Sequence, residues 1–144
     1  MLFSEIVKRE TKDNVDQLLS KFHTIRRLAG KPIEQKLTAT YTIEPKSFTG
    51  VNSNPTEDAI LAQTDAQVLY NDIIKAYNCL GPTSRKRLYN KYMSSNPKFD
   101  YEVYDGGEES ISKATFYRDL EKAQIEFAEA YKNGELMKFK MRQS

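Results

Sequence analysis

The sequence predicts an all-α protein on three observations. Apolar residues recur at steps of three and four over 11–29, 66–80 and 116–127, the spacing that puts side chains on one face of a helix. Thr56 and Ser112 stand as caps before the second and third of these runs, and glycine with proline closes the first two, at Gly30-Pro32 and Gly81-Pro82. Polar β-formers and turn residues gather in a single stretch, 31–55, which is expected to be extended and largely irregular.

In the first helix, predicted over 11–29, Val15, Leu18, Leu19, Phe22, Ile25 and Leu28 form the inward face, while Lys12, Lys21, Arg26 and Arg27 are expected on the solvated one. Pro32, Pro45 and Pro55 and the cluster 50–54 mark the connection that follows. A connection that long is uncommon inside a compact domain, so three segments are expected: an N-terminal helical segment over 1–30, the connection over 31–55, and a helix-turn-helix domain with a tail over 56–144. Thr56 or Asn54 caps the next helix, where Glu57 and Asp58 suit the positive end of the helix dipole. Its residues Ala66, Leu69, Ile73, Ala76 and Leu80 approach a heptad seam, which calls for a packing partner within the chain or in a homodimer. After Gly81-Pro82 another helix starts at Thr83, with Leu88, Tyr92 and Met93 inward and Arg85, Lys86 and Lys91 outward.

The last helix starts at Ser112, whose hydroxyl can accept from first-turn amides. Phe116, Leu120, Ala123 and Phe127 share its buried face, and Lys113, Thr115, Arg118 and Lys122 lie off that face near the helix start. Such a helix suits a solvated bundle face as well as a DNA-reading surface. Tyr117 can stack beside a DNA backbone or seal the apolar stripe.

Composition narrows the classes. The 144 residues suffice for one domain with a real core and not for two large ones. With 39% hydrophobic and 29% charged residues, no apolar run approaches the roughly twenty residues of a membrane span. The opening MLFSEIVKRE puts apolar residues before charges, the reverse of a secretory signal, so a cytoplasmic location is expected. Cys79, the single cysteine, cannot form an internal disulfide and is expected to be buried. His23 is the single histidine, which leaves no histidine pair for metal binding or acid-base catalysis. The acids Asp100, Glu102, Asp105, Glu108 and Glu109 lack calcium-loop spacing, and Gly106-Gly107 lacks the lysine of a phosphate loop. No enzyme, metal or cofactor is expected.

The net charge of +2 says little about nucleic acid, but the charge is segregated. Residues 84–98 carry Arg85, Lys86, Arg87, Lys91 and Lys98 without an acid, and 99–110 carry acids without a base. A basic run beside a candidate reading helix is what phosphate positioning requires.

Four segments, NVDQLLSKFHTIRRLAG, YTIEPKSFTGVNSNPTEDAI, SKATFYRDLEKA and EFAEAYKNGELMKFK, resemble the ArpU-type regulators of phage late genes, whose C-terminal part is similar to region four of the sigma-70 factors. The resemblance implies that 85–93 braces the fold and that the helix from Ser112 enters the major groove of double-stranded DNA. It further implies activation of phage or prophage late operons for packaging and lysis. On this basis Lys113, Thr115 and Arg118 are expected at base edges or nearby phosphates, Ser112 at the cap and a phosphate, and Arg85, Lys86, Lys91 and Lys122 along the backbone. The segment YEVYDGGEESIS departs from the pattern, because it lacks the apolar turn residue of a helix-turn-helix and carries a glycine pair with two acids. Its scaffold helix is therefore expected to be short, Asp100–Tyr104, with Tyr101, Val103 and Tyr104 packing on Phe116 and Leu120. A different reading is an adaptor that binds RNA polymerase or another protein through the seam and the acidic loop; a small DNA-packaging subunit is a third.

Overall fold

The computed structural model describes residues 7–33, 56–105 and 111–139. Asn54, most of the 31–55 connection and the Gly106-Gly107-Glu108-Glu109 segment lie outside the described residues. The described residues are helical, as the periodicity predicts. The elements are α1 (Lys8–Leu19), α2 (Phe22–Leu28), α3 (Glu57–Asn78), α4 (Pro82–Leu88) with a wide π-helical turn over Tyr89–Met93, α5 (Asp100–Tyr104), and α6 (Lys113–Ala130) with a short 3-10 turn over Tyr131–Asn133.

The predicted helix over 11–29 is two helices. Ser20 N–H still bonds Asp16 O, but Lys21 N–H bonds Leu18 O, a tightened turn whose Lys21 leaves helical dihedrals at φ −97°, ψ 7°. The three- and four-residue steps of Leu19, Phe22 and Ile25 persist through it, so periodicity reads straight across. The break lets α1 lie along α6 while α2 packs on α3, where the Phe22 ring stacks on Tyr70 at 5.9 Å. Gly30 ends α2 at φ +76°, with its N–H on Arg27 O and that of Lys31 on Arg26 O. Paired bonds of this kind close a helix around a left-handed glycine. Two side-chain expectations reverse here. Leu28 is 52% exposed, with Ala29 taking the buried place, and Arg26 is buried, donating from Nη1 to Lys31 O at 2.7 Å and from Nε to His23 Nδ1 at 3.2 Å. Arg26 thus serves the helix end rather than solvent.

Thr56 caps α3 by accepting from Ala59 N–H at 3.1 Å, and Ala66, Ile73 and Ala76 bury the expected seam within the chain. Cys79 is exposed, contrary to expectation: it stands at the helix end, beside the line from Ala76 to Leu80 that turns inward. Pro82 opens α4 one residue before Thr83, and Leu88, Tyr92 and Met93 are buried as expected.

One core cluster joins Val15 and Leu19 of α1, Phe22 and Ile25 of α2, Ile73 and Ala76 of α3, Leu88, Tyr92 and Met93, and Ala123, Phe127 and Ala128 of α6. Burying branched and aromatic side chains at about 25 cal/mol per Å2 of apolar surface is the main force holding these helices together. Through the core runs one polar link: Tyr92 donates to Asp16 Oδ1 at 2.8 Å and accepts from Gln124 Nε2 at 3.0 Å. A second, smaller cluster of Val103, Phe116 and Leu120, flanked by Tyr104 and Ile111, seats the start of α6 under α5.

Beyond Ala130 the chain reverses through three consecutive left-handed residues, Lys132 (φ 44°), Asn133 (φ 58°) and Gly134 (φ 88°). Tyr131 stays buried, its ring stacked on Phe127 at 5.7 Å. The returning strand of chain is then stitched to α1. Asn14 donates to Leu136 O at 3.0 Å, Lys138 N–H donates to the buried Thr11 hydroxyl at 2.9 Å, and Val7 N–H donates to Lys138 O at 2.7 Å.

Candidate nucleic-acid interface

Ser112 holds the start of α6 as the sequence predicts, its Oγ accepting from Thr115 N–H at 3.1 Å and donating to Thr115 Oγ1 at 2.9 Å. Arg118 Nη2 also donates to Thr115 Oγ1, at 3.4 Å. The Thr115 hydroxyl therefore lies between the cap and the guanidinium, half-buried, while Arg118 is exposed. Phe116, Leu120, Ala123 and Phe127 are all buried, so the predicted face is the observed one. On the opposite side Ala114, Arg118 and Lys122 follow one i+4 line, with Lys113 and Tyr117 beside it, all exposed. Ala114 was not singled out from sequence; an exposed methyl between cations has no signature in a composition or a stripe.

Val103 and Tyr104 pack under this end as expected, Tyr104 meeting the Phe116 and Tyr117 rings at 5.4 and 5.8 Å. Tyr101 does not. It is 56% exposed and stacks on Phe99 instead, because a helix of five residues can turn only part of its circumference inward. Tyr117 remains exposed at the edge of the aromatic group, and its hydroxyl is pushed up to about 12, first by the hydrogen bond with Tyr104 and then by burial and Asp100.

The basic run over 84–98 disperses. Ser84 donates to Glu126, and Arg87 reaches Asp119 at 4.0 Å with its guanidinium 5.5 Å above the Phe116 ring, so α4 runs antiparallel to α6. Arg87 is buried at 4% exposure and faces α6 rather than solvent. Arg85 is half-buried beside Tyr77 of α3, Lys86 is exposed, and Lys91 bonds Asp100 at 3.0 Å at the start of α5. The structure thus brings Ser112, Lys113, Thr115, Tyr117, Arg118 and Lys122 together on α6, sets Lys91 beside them through Asp100, which faces both Lys91 and Tyr117, and leaves Arg85 half-buried on the α3 side of α4. A contribution absent from the sequence reading comes from α1: Lys12 and Lys8 pair with Glu121 at 3.2 and 3.7 Å. They neutralise the acid that stands between Arg118 and Lys122, a pairing across more than a hundred positions that no local pattern reveals.

These features define a small helical protein in which a short helix seats a capped longer one, with cations on the longer helix's free side. Among known proteins, the chain is similar over nearly its whole length to two that bear the name "Putative autolysin regulatory protein ArpU". One is from Enterococcus hirae, 29% identical over 139 residues, covering 96% of this chain and 98% of that protein. The other is from Streptococcus phage O1205, 29% identical over 138 residues, with 95% and 98% covered. No family model matches the chain, and no solved structure matches it at a significant level. The full-length similarity supports the kinship with ArpU-type proteins that the sequence motifs suggest. Among the described residues, no helix is long and apolar enough to cross a membrane.

Proposed function

We propose that this chain is a DNA-binding transcriptional regulator of the ArpU kind, an activator of phage or prophage late genes for packaging and lysis that reads promoter DNA with the start of α6. The observation that carries the reading is the two-sided first half of α6. Phe116 and Leu120 anchor it under α5, and Lys113, Arg118 and Lys122 stand free of the core on the other side. A helix entering the major groove needs this division, since base edges and phosphates must be met by side chains that the fold does not require. The relatives' names point the same way: both are named as regulatory proteins, and one comes from a phage. In this reading Lys113 and Arg118 meet base edges, Thr115 orders Arg118, Tyr117 stacks beside the backbone, and Ser112 and Lys122 hold phosphates. Arg85, Lys86 and Lys91 are assigned to the flanking backbone, with Lys8 and Lys12 as further phosphate contacts, and function is cytoplasmic.

The test is a titration of labelled duplexes tiling the late-gene control region of the source genome against a scrambled duplex, at two salt concentrations. One tile should bind at least about a thousand times more tightly than the scrambled duplex, with affinity falling steeply as salt rises. Equal affinity for every tile would remove sequence-specific regulation from the reading.

A further inference from the structure

The first ten residues of the α3 region, 56–65, are all exposed, although they belong to one continuous helix whose second half forms the core. At 1.5 Å per residue this is an overhang of about 15 Å. Ile60 and Leu61 within it, and Val68 just past it on the same side of α3, are exposed by 47%, 60% and 54%. On the other side Ala59 and Ala62 continue the heptad seam of Ala66, Leu69 and Ile73 and stay exposed, with only the Gln63 side chain reaching back toward Gly30 among the described residues. Solvent-facing apolar side chains on a helix are ordinary singly; grouped on a projecting helix they mark an interaction surface.

Two observations identify what covers it. The first is charge. From 56 to 74 α3 carries Glu57, Asp58, Asp65 and Asp72 and no lysine or arginine, and among the described residues only Asp72 is paired with a cation, Lys132 at 3.8 Å. DNA is repelled by such a surface, and a second copy would set acid against acid. The second is position. Asp72 meets Lys132 beyond the end of α6, and Leu80 lines a cleft with Glu126 and Ala130, so the overhang points away from Ser112 and the reading face.

We infer that the exposed first half of α3 docks a protein partner that presents an apolar patch rimmed by lysine and arginine, on the side of the molecule away from the start of α6. The surface stands on the α3 geometry alone; the choice of probe rests on the proposed function, because a regulator bound at a promoter meets RNA polymerase there.

The experiment uses the full chain and RNA polymerase purified from the bacterium that encodes it, immobilised on a sensor. Three proteins are compared: wild type, the triple variant Ile60→Ser, Leu61→Ser, Val68→Ser, and the triple variant Glu57→Gln, Asp58→Asn, Asp65→Asn. Wild type should bind, the apolar variant should bind roughly ten-fold or more weakly, and the neutralised variant should lose the salt sensitivity of the contact. All three should remain monomeric by sedimentation and share one affinity for the promoter duplex, with melting temperatures that differ by no more than the few degrees expected from losing the first-turn acids or from serine in a helix. No binding by wild type, or equal binding by all three, overturns the inference. A wild-type dimer that the apolar variant abolishes assigns the face to a second copy, and a large fall in melting temperature assigns it to another part of this chain; either result also overturns it. If none of the three binds any duplex while the sensor result holds, the DNA reading fails and the docking surface stands.

Discussion

At its first turns α6 sinks Phe116 and Leu120 under α5 and leaves Lys113, Arg118 and Lys122 to solvent, whereas beyond its last turn the chain is tied back to the fold at several points. There Tyr131 is buried, Lys132 lies 3.8 Å from both Asp72 and Glu135, Gly134 is left-handed, and the amide of Lys138 and the carbonyl of Leu136 bond α1. Both regions carry segments that resemble the ArpU-type regulators. Over its described residues, 126–139, EFAEAYKNGELMKFK forms a clasp that closes onto α1, and SKATFYRDLEKA leaves cations exposed. A run of left-handed residues and a backbone stitch limit which residues can stand there, whereas the exposed side chains at the start of α6 are not required by the fold.

Substitutions separate the two regions, and the largest effect belongs to the core that both share. Phe127 is fully buried between them, so Phe127→Ala should cost about 3–5 kcal/mol of stability and lower the melting temperature by many degrees. Thermal unfolding with retained wild-type stability would mean that the core is built elsewhere. Next in size, Arg118→Ala and Lys113→Ala should each weaken specific DNA binding by about 1–3 kcal/mol while leaving the melting temperature within the scatter of surface changes. Wild-type affinity in both folded variants would move the reading surface off α6.

Gly134→Ala probes the clasp and should do the converse. Its φ of +88° is left-handed, and an added Cβ would stand 3.3 Å from Met137 Sδ, a flexible side chain that can yield. The backbone strain remains, so the variant should lose about 1–2 kcal/mol of stability with no change in DNA affinity once the fraction folded is corrected for. A loss of affinity at full folding would make the clasp part of the interface and erase the contrast.

What could be read in advance was local. The Thr56 and Ser112 caps, the Gly30 stop, the five-residue scaffold helix and the buried line of Phe116, Leu120, Ala123 and Phe127 each depend on neighbours within a few positions, and each is observed. The misses depend on where side chains turn once helices end or pack, whether the partner is five residues on, as for Arg26, or far along the chain, as for Arg87. Arg26 and Arg87 look like solvated cations until Lys31 O and the Phe116 ring appear beside them. The break at Ser20-Lys21 preserves the apolar spacing and exists because α1 and α2 pack on different helices. In the candidate site, the α6 residues were legible as a face, but the withdrawal of Arg87 onto Phe116 and of Arg85 toward Tyr77 follows from the packing of α4 on its neighbours, which a charge count along 84–98 does not contain.

The smallest effect concerns Tyr92, whose hydroxyl links α1 to α6 through Asp16 and Gln124. Burial pushes its pKa above the ordinary 10.0, and the bond to Asp16 pushes it the same way. A tyrosine whose folded pKa is raised favours the folded state while both states are protonated, so this contribution is intact below about pH 10 and is lost as pH rises beyond it. Tyr131, held near 12 chiefly by burial and then by Asp72 and Glu135, acts with the same sign. Tyr92→Phe should therefore cost about 1 kcal/mol near neutral pH, because Gln124 and Asp16 each lose a partner. Its stability should also fall less steeply than that of wild type between about pH 9 and about pH 11. Urea midpoints of the two proteins across that range check this. Parallel curves would mean that the hydroxyl reaches solvent, and that the first half of α6 is held to α1 by the Glu121 pairs with Lys8 and Lys12 rather than by the buried link.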